Sequence, residues 1–438
     1  MVAIEIVNKI MLGALLLLFL VGFYRVIYVC FGFAKDIVQP QTNKRAKFAI
    51  LIAARNESKV IKRLLDSIKK QGYPSKLIDP YIIVEDENDK TVQIVKSFGY
   101  NVFVRQHLEN VGKGFALDEA VKDIIKKGKS YDAYMILDAD NVLCDNFIEE
   151  MNKAFQNGVR LGMGYRNTLN QPGNWVADCS ALTFSGINTF QNKARTKLTK
   201  NIIVSGTGLF LDGQIIESFK GWPFHTLTED YELSLYCCLN NIRSEYVPSA
   251  MFYDEQPTNL KTLNKQRVRW IKGFMQSRKL YAGDIAKKIF SKDENKAGKM
   301  DIVLGVVPNI IAIASIICYS IAMISISIYG LITRASYVAY SFKCFLLVFL
   351  ITYLFLCFYT FLQIVVEKKK MKFGVLNSVK IILLNPYFAM LYLSHAFKAA
   401  FNKEVTWAPI EHGVVKDYNL EDEEELEFEM KNWNILYY

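Results

Sequence analysis

Apolar residues are not spread evenly along this chain of 438 residues but collect near residues 10–33 and 302–398. Between them, residues 45–300 mix polar and apolar side chains as a water-soluble domain does. The run Met11–Phe33 is apolar except for Arg25, and it can cross a hydrocarbon core about 30 Å thick. With 51% hydrophobic residues, the chain is not disordered in bulk. This pattern predicts a soluble domain inserted between membrane segments.

Basic residues flank the apolar segments, which places the central domain in the cytoplasm under the positive-inside rule. The formal net charge is +10, from 53 basic and 43 acidic residues. The flanking cations are Lys44, Arg45, Lys47, Lys287, Lys288, Lys296, Lys299, Lys368, Lys369 and Lys370. Such cations face anionic lipid, so we expect membrane lipid and no nucleic acid as the charged partner. We therefore predict a multi-pass protein of the plasma membrane, and no feature of the sequence indicates a partner protein.

The first apolar run is predicted to be an uncleaved membrane anchor. A cleaved signal peptide would need a cationic start and a small-residue cleavage site, but only Lys9 precedes the run. The eight cysteines include no Cys-x-x-Cys pair, so we expect neither a disulfide framework nor a zinc site.

Five parts of the chain are predicted. They are an N-terminal transmembrane anchor (1–44), a cytoplasmic α/β domain (45–255), amphipathic interfacial helices (256–300), C-terminal transmembrane or interfacial helices (301–400) and a cytoplasmic tail (401–438). Strong spans are expected at Ile302–Ile328 and Cys344–Val366. A weaker apolar stretch, Val375–Phe397, contains Asn385 and Pro386 and is either a third span or an interfacial helix.

The central domain has the pattern of an α/β protein. Strands are predicted at Phe48–Ala53, Tyr81–Val84, Asn101–Val104 and Ala133–Leu137, with helical periodicity between them. Strands that alternate with helices indicate a mostly parallel sheet covered on both faces. Because such sheets bind ligands at the carboxyl ends of their strands, we expect a site where these strands end.

Polar motifs follow one another in a definite order. Asp86 follows the second strand, and Lys113-Gly114 comes after a short loop. Asp138-Ala139-Asp140 ends the fourth strand, Thr228-Glu229-Asp230 comes later, and Gln266-Arg267-Val268-Arg269-Trp270 follows. Each motif alone is weak: a strand-end carboxylate pair is often solvated, and an Arg–Trp segment can simply lie at the membrane surface. Together they are far more specific.

The order and spacing of these motifs, with membrane segments on both sides, resemble the processive family 2 glycosyltransferases. That family includes cellulose, chitin, hyaluronan and poly-N-acetylglucosamine synthases, and the resemblance extends to bacterial mixed-linkage β-glucan synthases. It covers about residues 10–413. It implies a GT-A type cytoplasmic domain with a mostly parallel sheet, inserted between transmembrane helices.

The resemblance also implies a role for individual residues. Donor binding falls to Ala54, Glu57, Asp86, Lys113, Asp138, Gln266 and Arg269, and acceptor binding to Gly206, Thr207, Glu229 and Trp270. Asp230 matches the general base, and Asp140 matches the ligand of a Mg²⁺ or Mn²⁺ ion. Two positions depart from the family: Arg55 stands where Tyr is usual, and Pro409 replaces Thr in the segment Trp407–His412.

These residue types suit transfer of a sugar from a UDP-sugar. A carboxylate base can take the acceptor's proton. A cation with Lys and Arg can neutralise the departing diphosphate. One base without a nucleophile implies a single displacement with inversion at the anomeric carbon, so an α-linked donor yields a β-linked product.

The expected function is therefore processive, inverting synthesis and translocation of a β-linked polysaccharide, with UDP-glucose as donor and a β-glucan as product. The nascent polysaccharide is then a second partner beside the donor. Alternatives are a poly-N-acetylglucosamine or hyaluronan-type synthase, or a non-processive transferase acting on a lipid. A receptor or export channel with an inactive domain is disfavoured, because Asp140 and Asp230 are both present.

Overall fold

The computed structural model describes residues 24–289, 295–305, 307–333 and 338–402, together with residues 2, 5, 6, 9, 10 and 13. Residues 14–23 and seven earlier positions of the predicted N-terminal anchor lie outside the described residues, as does the whole segment Trp407–His412. So does nearly all of the predicted tail.

Eight strands form one sheet in the order β3-β2-β1-β4-β7-β6-β8-β5. The strands are β1 Phe48–Ala53, β2 Ile78–Val84, β3 Asn101–Val104, β4 Ala133–Asp138, β5 Val142–Leu143, β6 Leu161–Thr168, β7 Leu209–Asp212 and β8 Ser244–Asp254. The first four are parallel, as predicted, and β6 also pairs with β8 in parallel. The strand β7 runs antiparallel to β4 and β6, and β5 runs antiparallel to β8. The sheet is therefore mostly parallel.

Helices cover both faces of the sheet and continue beyond it. They are α1 Tyr24–Gly32, α2 Ile61–Lys69, α3 Lys90–Ser97, α4 Lys113–Lys126, α5 Phe147–Gln156, α6 Trp175–Ser185, α7 Lys193–Leu198, α8 Gly213–Phe219, α9 Glu229–Leu239, α10 Leu260–Ile289, α11 Lys296–Leu304, α12 Val307–Ile332, α13 Val338–Val366 and α14 Val375–Phe401. A π-helix, Gly186–Asn192, joins α6 to α7, and Ser75–Leu77 forms a 3₁₀ turn.

The central strand β1 is apolar at every position because both of its faces are buried. Ala49 and Leu51 point into one hydrophobic core, and Phe48, Ile50 and Ile52 point into another on the opposite face. A strand covered on both faces has no solvent side, so its sequence is apolar throughout rather than alternating. The polar residues that follow such strands are therefore left at the sheet edge.

The segment predicted as interfacial helices is dominated by one helix of 30 residues, α10, followed by α11. Further along, two helical stretches in the described part of the chain, Phe349–Val366 and Val375–Phe401, are each long and apolar enough to cross a membrane by length and composition, which is weak evidence for spanning. The stretch predicted as either a span or an interfacial helix is therefore one continuous helix, α14.

One face of α14 packs against α6 and α10. Ile381 and Phe388 share a hydrophobic cluster with residues of α6 and α10. His395 lies 2.6 Å from Asn264 Oδ1, and Lys272 Nζ donates to the carbonyl of Ala399 at 3.1 Å. The helix α14 therefore lies alongside α10, which carries the Gln266–Trp270 motif.

Candidate active site

A cavity of about 350 Å³ opens at the carboxyl ends of β1, β2 and β4 and is closed on the other side by α10. It brings together most of the residues predicted from the sequence. Those lining it are Ala54, Glu57, Lys113, Asp138, Asp140, Gly206, Glu229, Asp230, Gln266, Arg269 and Trp270. Segments more than 200 residues apart in the chain thus meet at one place, as expected for strand ends in an open α/β sheet.

Two predicted site residues do not line the cavity. Asp86 instead accepts a 2.9 Å hydrogen bond from the amide of Asn88, and the residue before it, Glu85, lines the cavity. Thr207 is fully buried, and its hydroxyl oxygen accepts a 2.8 Å hydrogen bond from the amide of Asp138. Donor binding by Asp86 and acceptor contact by Thr207 stay predictions, and in the structure Thr207 holds the end of β4.

The end of the cavity near β1 and β2 carries a network of charged residues. Arg55 Nε lies 2.9 Å from Glu85 Oε2. The buried Arg105 lies 3.4 Å from the other Glu85 oxygen and 2.8 Å from Glu119. The Arg55 position, which departs from the family, is thus occupied by a guanidinium held against a carboxylate.

Lys113 joins two loops at the centre of the cavity. Its Nζ pairs with Asp138 and donates to the carbonyl of Gly206 at 2.8 Å. Burial alone would lower the pKa of Lys113, but the nearby carboxylates of Asp138, Glu229 and Asp230 outweigh it and raise the pKa. Lys113 is therefore a fixed cation where a negatively charged group can be bound.

The surroundings of Asp140 fit a divalent cation. Its buried carboxylate lines the cavity and accepts long hydrogen bonds of 3.3 Å from Asn141 Nδ2 and from the amide of Glu255. Asp254 Oδ1 faces no hydrogen-bond partner among the described residues. Within that part of the chain, no group of three or more His, Cys, Asp or Glu residues is placed to hold an ion by itself. Mg²⁺ is commonly bound by one or two carboxylates plus substrate phosphates, and this donor set suits that mode.

Glu229 and Asp230 stand at the start of α9 and face the cavity. Burial and the charge of Asp230 raise the pKa of Glu229 to about 7, and burial also raises the pKa of Asp230. Gly206 has a φ of +79°, and a Cβ there would lie 3.5 Å from Asp230 Oδ2. The glycine therefore keeps the space in front of this carboxylate open.

The helix α10 approaches α9 closely because of Gly273. A Cβ at that position would lie only 2.5 Å from Thr228 Oγ1. The close approach lets Arg269 Nη1 donate to the carbonyl of Leu227 at 3.1 Å. Trp270 contacts Phe184 edge-on, with ring centroids 5.9 Å apart, and also lines the cavity.

Several cavity residues were not predicted from the sequence. They are Glu85, Arg105, Arg166, Asp254 and Arg267. Arg166 and Asp254 lie on the paired strands β6 and β8 and form a buried ion pair. Both are polar residues at or near strand ends, and that signal could have singled them out.

Comparisons with known proteins agree with this architecture. The family described as "Glycosyltransferase like family 2" matches residues 45–273, just over half of the chain. A poly-beta-1,6-N-acetyl-D-glucosamine synthase of Staphylococcus epidermidis is 27% identical over 240 residues, 54% of this chain and 57% of that protein. A probable glycosyltransferase of Bacillus subtilis, YdaM, is 26% identical over 52% of this chain and 55% of its own length. The match thus spans little more than half the length of these relatives.

A solved structure covers more of the chain. The mannosyltransferase PcManGT from Pyrobaculum calidifontis, in complex with GDP-Man and Mn²⁺, aligns over 92% of this chain and 99% of that one, with a TM-score of 0.58 and 14% identity. At this identity the likeness shows a shared fold. The predicted GT-A-like α/β domain is therefore confirmed, and this protein belongs to glycosyltransferase family 2.

Proposed function

We propose that the protein transfers a sugar from a UDP-sugar to a growing β-linked glycan, with inversion at the anomeric carbon. The supporting observation is the convergence of Lys113 and Asp138, the Glu229–Asp230 pair and the Gln266–Trp270 segment around one cavity. Cations, carboxylates and an aromatic face meet there, and each step of such a transfer needs one of them.

Asp230 is the proposed general base. An acceptor hydroxyl oxygen attacks the anomeric carbon, its proton passes to Asp230, and the carbon–oxygen bond to the diphosphate breaks with its electron pair on the diphosphate. Oδ1 of Asp230 accepts a hydrogen bond from the amide of Tyr231 at 2.8 Å, which fixes the carboxylate. The raised pKa of Asp230 makes it a stronger base than an exposed aspartate.

Lys113 and Arg269 are the proposed partners of the diphosphate. Both line the cavity, and the charges of Asp138 and Asp230 favour the protonated form of both side chains. Asp140 would hold a divalent cation, which would supply countercharge for the departing diphosphate. Fixed positive groups of this kind stabilise the departing diphosphate without reorganising during the reaction.

N-acetylglucosamine is the transferred sugar that we propose first, ahead of the glucose expected from the sequence, because the Staphylococcus relatives are poly-beta-1,6-N-acetyl-D-glucosamine synthases. We propose further that the protein is held in the plasma membrane by its apolar helices, with the catalytic domain in the cytoplasm, and that the product passes outward between those helices.

The donor is tested by supplying the purified full-length protein with single nucleotide sugars and measuring released nucleotide. UDP-N-acetylglucosamine and UDP-glucose are compared with GDP-mannose, and polymeric product is digested with linkage-specific hydrolases. Release from a UDP-sugar with a β-linked product supports the proposal. Release from GDP-mannose alone would contradict it.

The acid side of the pH profile should reflect the titration of Asp230. The base must be ionised, and burial raises its pKa, so kcat/KM should fall as the pH drops through an apparent pKa above the ordinary carboxyl value near 4. The charge of Asp230 helps raise the pKa of Glu229 to about 7, so Glu229 is still protonated where Asp230 titrates, and Glu229→Gln should leave this limb in place. A wild-type limb centred at or below pH 4 would contradict the raised pKa of the base.

Replacing Trp270 with Ala should shorten the product. The ring offers a face to a sugar, and its loss should weaken acceptor binding by on the order of 1 kcal/mol beyond the area lost. Product length is measured early in the reaction with acceptor in excess, and Trp270→Phe is the matched control. Long wild-type polymer beside unused acceptor supports processive extension. Wild-type products that start short and lengthen uniformly would contradict it.

A further inference from the structure

Five arginines line the cavity, and Arg55 and Arg105 pair with glutamates at its nucleotide end. Of the other three, Arg267 has no anionic hydrogen-bond partner among the described residues. Arg166 donates from Nε to Asp254 Oδ2 at 2.7 Å, and its Nη2 bonds the same carboxylate. Arg269 donates to Leu227 and faces the Glu229–Asp230 pair. The Nε and Nη2 atoms of Arg267 are shielded from solvent and meet no hydrogen-bond acceptor among the described residues.

The two unsatisfied groups of Arg267 lie on the same edge of the guanidinium. Their N–H bonds point in the same direction, and this edge is the one that Arg166 uses for Asp254. A carboxylate or phosphate offers two oxygens at matching spacing. Burial and the nearby charge of Arg166 lower the pKa of Arg267 to about 10, so the guanidinium is still charged at neutral pH. Arg267 as a whole is half-buried, but two shielded N–H groups without an acceptor are costly, which points to an anion supplied by a ligand.

The position of Arg267 indicates which ligand supplies the anion. Residues two apart on a helix point about 200° apart, so Arg267 faces away from Arg269 and the diphosphate side. Its Cζ atom lies 5.2 Å from the ring centroid of Trp270 and 5.4 Å from that of Phe388 on α14. Arg267 therefore lies on the acceptor side, between the proposed sugar platform and the last helix.

We propose that Arg267 binds an oxyanion carried by the acceptor glycan, a carboxylate or a phosphate ester on or next to the accepting sugar. The inference rests on the proposed function and names the class of its acceptor. A homopolymer of one neutral sugar does not supply such a group, so the acidic or phosphorylated unit belongs to the primer that accepts the first sugar rather than to the chain that is then extended.

The test uses the full-length protein in detergent with UDP present. Binding of three oligosaccharides of equal length is measured by calorimetry: one neutral, one with a hexuronate at the accepting end and one with a phosphate ester there. The variants are Arg267→Gln and Arg267→Lys. Lys265→Gln is the matched control, because Lys265 is exposed on the same helix.

The wild-type protein should bind at least one anionic oligosaccharide about 10–100-fold more tightly than the neutral one, the range expected of charge-assisted hydrogen bonds. Arg267→Gln should bring that ratio close to one, Arg267→Lys should restore only part of it, and Lys265→Gln should leave it unchanged. If the hexuronate oligosaccharide binds more tightly, the anion is a carboxylate. If the phosphate-bearing oligosaccharide does, the anion is a phosphate ester.

Equal binding of neutral and anionic oligosaccharides by the wild-type protein would overturn the proposal. So would a loss of affinity in Arg267→Gln that is the same for all three, because that would indicate a packing role beside Trp270. Transfer to the same oligosaccharides is measured in parallel. Absence of transfer from every UDP-sugar counts against the proposed function, whereas transfer that favours the neutral acceptor counts only against the oxyanion site.

Discussion

Replacing Asp230 with Asn should reduce sugar transfer by about 10²–10⁴-fold while UDP binding stays near the wild-type level. The amide is nearly the same size as the carboxylate but cannot take the acceptor's proton. UDP affinity should persist, because we assign the nucleotide to the end of the cavity that Arg55 and Glu85 line, away from Asp230. Transfer rates and UDP affinity are measured on the same preparation.

Asp284→Asn is the control for this prediction, because Asp284 is an exposed acid on α10 outside the cavity. It should leave both transfer and UDP affinity unchanged. Turnover of Asp230→Asn within a few-fold of wild type would remove Asp230 from the role of base. Loss of UDP affinity together with transfer would instead indicate that Asp230 holds the nucleotide site together.

Removal of divalent cations should abolish activity, and Asp140→Ala should do the same even with Mn²⁺ or Mg²⁺ in excess. The cavity already holds Asp138, Asp140 and Asp254, so a diphosphate cannot bind there easily without a further countercharge. Cation stabilisation of the leaving group is worth several kcal/mol, which corresponds to at least about 10²-fold in rate. Activity is measured in EDTA and after Mn²⁺ is added back.

Binding of Mn²⁺ in the presence of UDP, followed by electron paramagnetic resonance, separates the metal site from catalysis. Wild-type protein should bind the ion with UDP, and Asp140→Ala should not. Asp145→Asn is the control, since Asp145 lies a few residues further along the chain and does not line the cavity. Full activity in excess EDTA would show that Lys113 and Arg269 suffice for the diphosphate.

The parallel half of the sheet could be predicted from the sequence because its strands are buried on both faces. Phe48–Ala53 is apolar at every position, and Asp138-Ala139-Asp140 follows an equally apolar strand. Where a strand of this kind ends, the next polar residues must lie at the sheet edge. The position of Asp138-Ala139-Asp140 at the sheet edge could therefore be predicted, and its role in binding stays a prediction.

The sequence could not predict which of two neighbouring residues at the end of a strand faces the cavity. Glu85 and Asp86 are adjacent, and successive residues at a strand end point to opposite sides, so only the structure shows that Glu85 lines the cavity. Thr207 belongs to a motif-like loop, yet its side chain turns inward to the amide of Asp138. Sequence spacing alone does not distinguish a residue that contacts a ligand from one that holds its neighbour.

The part of the site around Arg166, Asp254 and Arg267 depends on contacts between elements that are far apart in the chain. Arg166 and Asp254 meet because β6 and β8 pair in parallel although more than 70 residues separate them. The contact of Phe388 with Arg267 likewise depends on how α14 packs against α10. Hydrophobic periodicity indicates that such elements exist but does not indicate which elements become neighbours.

Inverting transfer from a UDP-sugar in this one cavity fixes the anomeric configuration of the first bond that the protein forms. Purified full-length protein is given ¹³C-labelled UDP-N-acetylglucosamine, or UDP-glucose, with an acceptor oligosaccharide, and the product is followed by NMR. We expect a β-linked product that appears together with UDP and is absent for Asp230→Asn. An α-linked product would rule out inversion by Asp230, because retention requires a second displacement or a nucleophile that the proposed mechanism does not contain.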